Sequence, residues 1–184
     1  MHQFDYLSVL VSIIIALGIS HLLSSAAGLI HWRHRVKIYY PTLVWMTVLL
    51  MNQIQIWWVA FYRRQILDWT FFGFLLYLMI PIIISMLGYL IIPETTPEAN
   101  LEREYYHNRR WFFGLLGLVM VISFIEDFTR FGFVLMSLNS WMRVGFLAVC
   151  ITGFACPAKR AQLVIALAFF ATLLCHITFS FMKT

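Results

Sequence analysis

Nine polar or ionisable residues interrupt otherwise apolar runs, and these are the side chains best placed to do chemistry. They are His21, Asn52, Gln53, Gln55, Glu126, Asp127, Arg130, Arg143 and His176. An ionisable group in hydrocarbon costs about 2.5–3.5 kcal/mol on insertion scales, so it turns toward other protein. Glu126 and Arg130 are four residues apart and share a helix face. Thr172, His176 and Ser180 make a polar stripe by the same spacing. A carboxylate, an arginine and a histidine at one depth are the parts of a buried ion pair with a titratable neighbour. Such a set suits an ion or proton path. Two plainer readings stay open beside it. The charges could mark where a helix leaves the membrane, or they could form a satisfied structural network.

The elements that must hold these residues are helices in a membrane. The 184 residues are 62% hydrophobic and 11% charged, with a mean hydropathy of +0.84. A soluble domain carries roughly 25% charged residues, and a span needs about 20 apolar ones. The chain therefore reads as all-α, a polytopic transmembrane helix bundle of about six spans in a single transmembrane domain. The spans are placed at about 6–30, 41–62, 69–92, 111–130, 138–156 and 161–181. Five spans are also tenable, because the boundary between the fourth and fifth is blurred. Pro93-Glu-Thr-Thr-Pro-Glu is a loop, and 100–110 is expected to be a short interfacial helix of its own. The start MHQFDYLSVL has no basic region and no small-residue cleavage site, so the first span is expected to be kept.

Basic residues orient the bundle. The loops after spans one, three and five hold Arg33, Arg35, Lys37, Arg103, Arg109, Arg110, Lys159 and Arg160. The opposite side holds Arg63, Arg64, Arg130, Arg143 and Lys183. This bias puts the first set in the cytoplasm and both termini outside. His176 then lies roughly 8–9 Å from the outer face at 1.5 Å per residue. Glu126, Asp127 and Gln55 reach a similar depth, Arg143 enters from that face, and Arg130 lies one turn beyond Glu126. These six form the expected polar layer. His21 is deeper, with Ser24 and Ser25 one turn on, and reads as hydrogen-bonded to a neighbouring helix. His21 and His176 differ in depth by roughly 10–12 Å, too far to share one haem iron.

Asn52 and Gln55 share one face of the second span, and Gln53 and Trp57 another, which suits a central helix. Trp57, Trp58 and Tyr62 read as interfacial anchors. On span one, Ser8, Ser12, Ala16, Ser20, Ser24 and Gly28 form a small-residue ridge at every fourth position. Such a ridge lets another backbone approach, within the chain or across a subunit interface. Cys150, Cys156 and Cys175 read as small core residues, without metal spacing. His31, His34 and His107 sit among arginines as a basic rim for lipid headgroups. No cofactor, metal or catalytic motif is present, and the basic pI reflects topology signals rather than nucleic-acid binding.

The opening Phe4-Asp-Tyr-Leu-Ser-Val, the run Gln55-Ile-Trp-Trp58 and Arg109-Arg-Trp-Phe-Phe113 resemble a widespread group of small bacterial multi-span proteins. The resemblance covers most of the chain. It implies a bacterial inner membrane, where the outside termini of the charge bias are periplasmic, and brings no activity with it. Three function classes follow from the sequence. One is a small ion or proton channel or transporter, expected to be a homo-oligomer. Another is a non-catalytic accessory or assembly subunit that docks a membrane partner through the span-one ridge. The third, least favoured by the residues, is a membrane-embedded enzyme or haem protein. An enzyme is not expected.

Overall fold

Six helices and no sheet make up the described residues of the computed structural model, which are 3–63, 70–92, 98–131 and 138–181. The helices are α1 (Gln3–His31), α2 (Tyr40–Arg63), α3 (Phe71–Ile91), α4 (Leu101–Phe131), α5 (Leu138–Ala155) and α6 (Lys159–Phe181). Five of them, all but α5, are long and apolar enough to cross a membrane. The loop at 93–97 and the connection at 132–137 lie outside the described residues.

The expected separate interfacial helix at 100–110 is absent. That segment is the first three turns of α4, which runs unbroken for 31 residues. The reason is a continuous inward stripe. Leu101, Tyr105, Arg109, Phe112, Leu116, Val119, Ile122 and Glu126 are all buried, at three- and four-residue steps through the proposed boundary. No proline interrupts the stripe, so the helix continues.

α2 is the central helix and packs against α1, α3, α4 and α6. α5 bridges α4 and α6, while α1 flanks the bundle and touches only α2 and α3. At the basic end, the loop after α1 pairs with the chain before α4. Lys37 N donates to Ala99 O at 3.1 Å, and Leu101 N donates to Lys37 O at 3.2 Å. Glu102 then takes ion pairs from Lys37, at 3.2 Å, and from Lys159. Both lysines are well exposed, so these pairs contribute little to stability; they mark the three basic loops as one end of the bundle.

Inside, Gln53 joins three helices. It is fully buried, and its Nε2 donates to Ser85 Oγ at 2.8 Å. Ser85 in turn donates to Ile14 O at 3.4 Å. Gly18 of α1 faces this pair, and a Cβ there would overlap the Gln53 amide and the Ser85 hydroxyl. The close approach of α1 therefore requires glycine at 18. Gly18→Val should lower stability by about 1–3 kcal/mol through overpacking. Equilibrium unfolding in mixed micelles would measure this, with exposed Gly114→Ala as the control, since nothing lies within 4 Å of a Cβ at that position.

Candidate functional site

A cavity of about 190 Å³ opens among α2, α3, α4, α5 and α6. Its polar wall is Asn52, Gln55, Ser123, Glu126, Arg143 and His176. Its apolar wall includes Ile80, Ile84, Val119, Phe146, Phe169 and Leu173. Each polar residue is delivered by helical spacing. Asn52 and Gln55 are three apart on α2, and Ser123 and Glu126 are three apart on α4. The cavity runs along α4 from Val119 to Glu126, seven residues or about 10 Å. An apolar cavity of roughly 150 Å³ can hold benzene and stays dry. This one is of that size but lined by carboxylate, guanidinium, imidazole and amide groups. It has the room and the polar partners for several waters or a small solute.

The structure gathers Gln55, Glu126, Arg143 and His176 of the sequence-derived layer around this one space. Glu126 is 3% exposed, so it is not a solvated charge at a helix exit. Gln55 Nε2 lies 3.1 Å from His176 Nδ1. With the amide nitrogen donating, Nδ1 accepts, and a neutral ring then carries its proton on Nε2. The Arg143 guanidinium lies 5.8 Å from the centre of the Phe124 ring, within cation–π range. Phe146 stands edge-on to His176 at 6.3 Å. Asp127 and Arg130 sit on α4, and their side chains lie outside the described residues.

The secondary polar residues divide. Asn52 joins the cavity and donates from Nδ2 to Val48 O at 2.9 Å. Gln53 faces away, into the α1–α3 contact. His21, expected to hydrogen-bond a neighbouring helix, instead stacks on Tyr89 of α3 with ring centroids 3.7 Å apart, and its Nε2 has no hydrogen-bond partner among the described residues. His21 and His176 thus stand on different packing surfaces. The α1 ridge splits as well. Ser8, Ser12 and Gly28 are half-buried, while Ala16, Ser20 and Ser24 are exposed. Packing within the chain uses a neighbouring row instead, Val11, Ile15, Gly18, Leu22, Ser25 and Leu29. Of the cysteines, Cys150 is buried, but Cys175 is exposed on α6, so it is not a core residue. Among the described residues no group of three or more His, Cys, Asp or Glu could hold a metal.

Below the cavity, on its basic side, an aromatic layer closes the bundle. The Trp45 ring lies 4.9, 5.5 and 5.0 Å from those of Phe112, Phe113 and Phe169. Gly153 of α5 permits this layer, since a Cβ there would overlap the Phe113 ring. Below it again is a polar network that sequence reading missed. Arg109 is 7% exposed, and its Nη1 donates to Gly153 O, Phe154 O and Cys156 O at 2.7, 3.0 and 2.9 Å. Gln162 Nε2 donates to Gly153 O and Cys156 O, and Tyr105 donates to Gln162 Oε1 at 2.6 Å. Arg109 had been read as a topology signal only. Its place in the inward stripe of α4 was the available clue.

Comparison with protein-family models, curated proteins and solved structures gives no match to this chain. The Arg109 network carries a prediction of its own. In Arg109→Ala, Phe154 O loses the donor seen here, while Gln162 still reaches Gly153 and Cys156. Unfolding in mixed micelles should show a loss of about 1–3 kcal/mol, the range for one unsatisfied buried group. Gln162→Leu in the same background should deepen the loss beyond the sum of the single changes, because the two donors share carbonyls.

Proposed function

We propose that the protein is a small membrane transporter whose substrate site is the cavity around Glu126. The observation that carries this reading is a buried carboxylate sharing a 190 Å³ cavity with Arg143, His176, Gln55 and Asn52, inside a bundle in which five helices are long and apolar enough to cross a membrane. An intramembrane ionisable group that faces a cavity is the usual mark of an ion or proton path. The aromatic layer across the basic side favours a gated carrier over an open pore. His176 and Glu126 are the groups able to take and release a proton there, and Gln55 orients the histidine ring.

Purified protein in liposomes, under an imposed potential, should carry protons or a monovalent cation. A pH-sensitive dye and ion-selective electrodes would read the two. Glu126→Gln and His176→Ala should each lower the flux about tenfold or more, the equivalent of about 1.4 kcal/mol of barrier. Flux at the wild-type rate in both variants, or none above empty liposomes for the native protein, would sink the reading.

The exposed Ala16, Ser20 and Ser24 favour a second reading, an accessory subunit that docks another membrane helix along α1. Co-purification of a second polypeptide in mild detergent, lost in Ser20→Leu, would support it. A single-component preparation would count against it. For either function we infer a bacterial inner membrane with the basic loops in the cytoplasm, supported by the concentration of Lys and Arg on those loops. A phosphatase fused after Thr184 should then be active, and a cytoplasmic reporter fused there should be silent.

A further inference from the structure

The cavity around Glu126 is graded along its length. Glu126, Arg143, His176 and Gln55 stand at its end away from the basic loops. One turn inward come Ser123 on α4 and Asn52 on α2. Beyond them the wall turns apolar. Val119 lies seven residues before Glu126 on α4, and Phe169 seven before His176 on α6. Each step is about 10 Å toward the basic end. Phe146, one turn inward from Arg143 on α5, meets Phe169 with ring centroids 4.7 Å apart. Leu173 and Ile84 complete this apolar floor. The charged groups of the cavity are thus gathered at one end, and the other end is hydrocarbon.

The charged end carries both signs. Glu126 brings a carboxylate, and Arg143 a guanidinium that stays protonated in proteins. His176, accepting the Gln55 amide on Nδ1, is held as the neutral ring. With Glu126 ionised, the charges at this end sum to zero. A bare cation entering there meets Arg143, a bare anion meets Glu126, and repulsion between like charges grows as the dielectric falls. A solute with one charge of each sign gives both groups an opposite partner. The floor adds a second requirement, since only an apolar body gains by being buried against Phe146, Phe169 and Leu173. The size agrees. A cavity of roughly 150 Å³ holds benzene, so 190 Å³ takes a charged head and a body of about four carbons.

We propose that the cavity binds a small zwitterion with an apolar body, an aliphatic α-amino acid, with its ammonium toward Glu126, its carboxylate toward Arg143 and its side chain on Phe146 and Phe169. The proposal rests on the transport reading above in taking this cavity as the substrate site. A few convergent polar groups at one end of a mostly apolar pocket are the usual means of fixing the orientation of such a solute. Gln55 and Asn52 add amide groups beside the two charges.

The test is binding of tritiated leucine, or of tritiated valine as a shorter body, to the full chain in lipid nanodiscs, read by scintillation proximity. The native protein should bind label saturably. Three competitors each lack one part of leucine: glycine the body, isopentylamine the carboxylate and isocaproate the ammonium. Each should compete about tenfold less well than leucine, or worse, the loss expected for one charged partner or one buried side chain. Arg143→Gln should erase the advantage of leucine over isopentylamine, and Glu126→Gln its advantage over isocaproate. A merely structural role would not separate the two analogues in this way. The competition series on the native protein decides the matter even where a variant fails to insert. No saturable binding of either labelled amino acid overturns the inference, and so does competition by glycine or by either single-charge analogue as strong as that by leucine. Binding needs no flux. Flux that depends on Glu126 without amino-acid binding keeps the carrier and removes this solute, whereas binding without flux keeps the solute and removes the carrier.

Discussion

The bundle depends on one constraint of the lipid environment, that every backbone carbonyl away from water must find a donor in the protein. α5 is where the constraint bites. Its 18 residues make about 27 Å, just under the roughly 30 Å hydrocarbon core. Its last turn, like that of every helix, leaves carbonyls without donors inside the helix. Arg109 and Gln162 supply the donors, the first from α4 and the second from α6. A guanidinium presents several N–H groups in a fixed fork, which suits a cluster of carbonyls better than a lysine would. The cap thereby sets the register of three helices against one another. Glu126 on α4, Arg143 on α5 and His176 on α6 all lie on those same helices, up to 17 residues beyond the cap. The geometry of the cavity is downstream of a helix end on the opposite side of the bundle.

The stacking of layers along the bundle has an energetic logic. Exposed ion pairs sit at the basic surface, where they matter little. The Arg109–Gln162–Tyr105 network comes next, largely satisfied, and a satisfied buried network rigidifies what it joins. The aromatic layer follows, and its rings meet edge-on or tilted rather than stacked. Only beyond that does the chain tolerate a cavity lined by Glu126, Arg143 and His176. The low dielectric that makes an isolated charge costly also strengthens every interaction among these groups. A void costs least where polar groups can fill it with water, and more within the aromatic layer, where the rings would lose their contacts.

Much of this was legible because helix geometry converts sequence position into depth. The grouping of Gln55, Glu126, Arg143 and His176 needed only the rise per residue and the sense of each span. What composition hides is rotation about each helix axis. Ser123 lies one turn from Glu126, but a serine in an apolar span gives no signal that separates cavity lining from close helix packing. Gln53, equally polar and adjacent to Asn52, turned to the α1–α3 contact instead, because Ser85 and Gly18 make a place for it there. Arg109 and Gln162 were hidden by their neighbours in sequence, since residues near basic loops read as solvated. The break expected at 110 failed for the same reason. Hydropathy falls across 101–110, yet one face stays buried, and it is the face rather than the average that decides whether a helix continues.

The small-residue row on α1 shows how far such geometry reaches. Four residues turn a helix through about 400°, so a four-residue repeat drifts some 40° per step, whereas packing follows the 3.6-residue period. The buried row Val11, Ile15, Gly18, Leu22, Ser25 and Leu29 keeps to that period and stays against α2 and α3. The small row starts beside it at Ser8 and Ser12, rotates outward through Ala16, Ser20 and Ser24, and returns half-buried at Gly28. A row that leaves the protein cannot serve one internal neighbour along its length. Among the described residues α1 contributes no side chain to the cavity, whose lining comes from the other five helices. An association along α1 would therefore leave the polar cavity complete within each chain. The small-residue face of α1 and the cavity around Glu126 thus lie on opposite sides of α2 and α3.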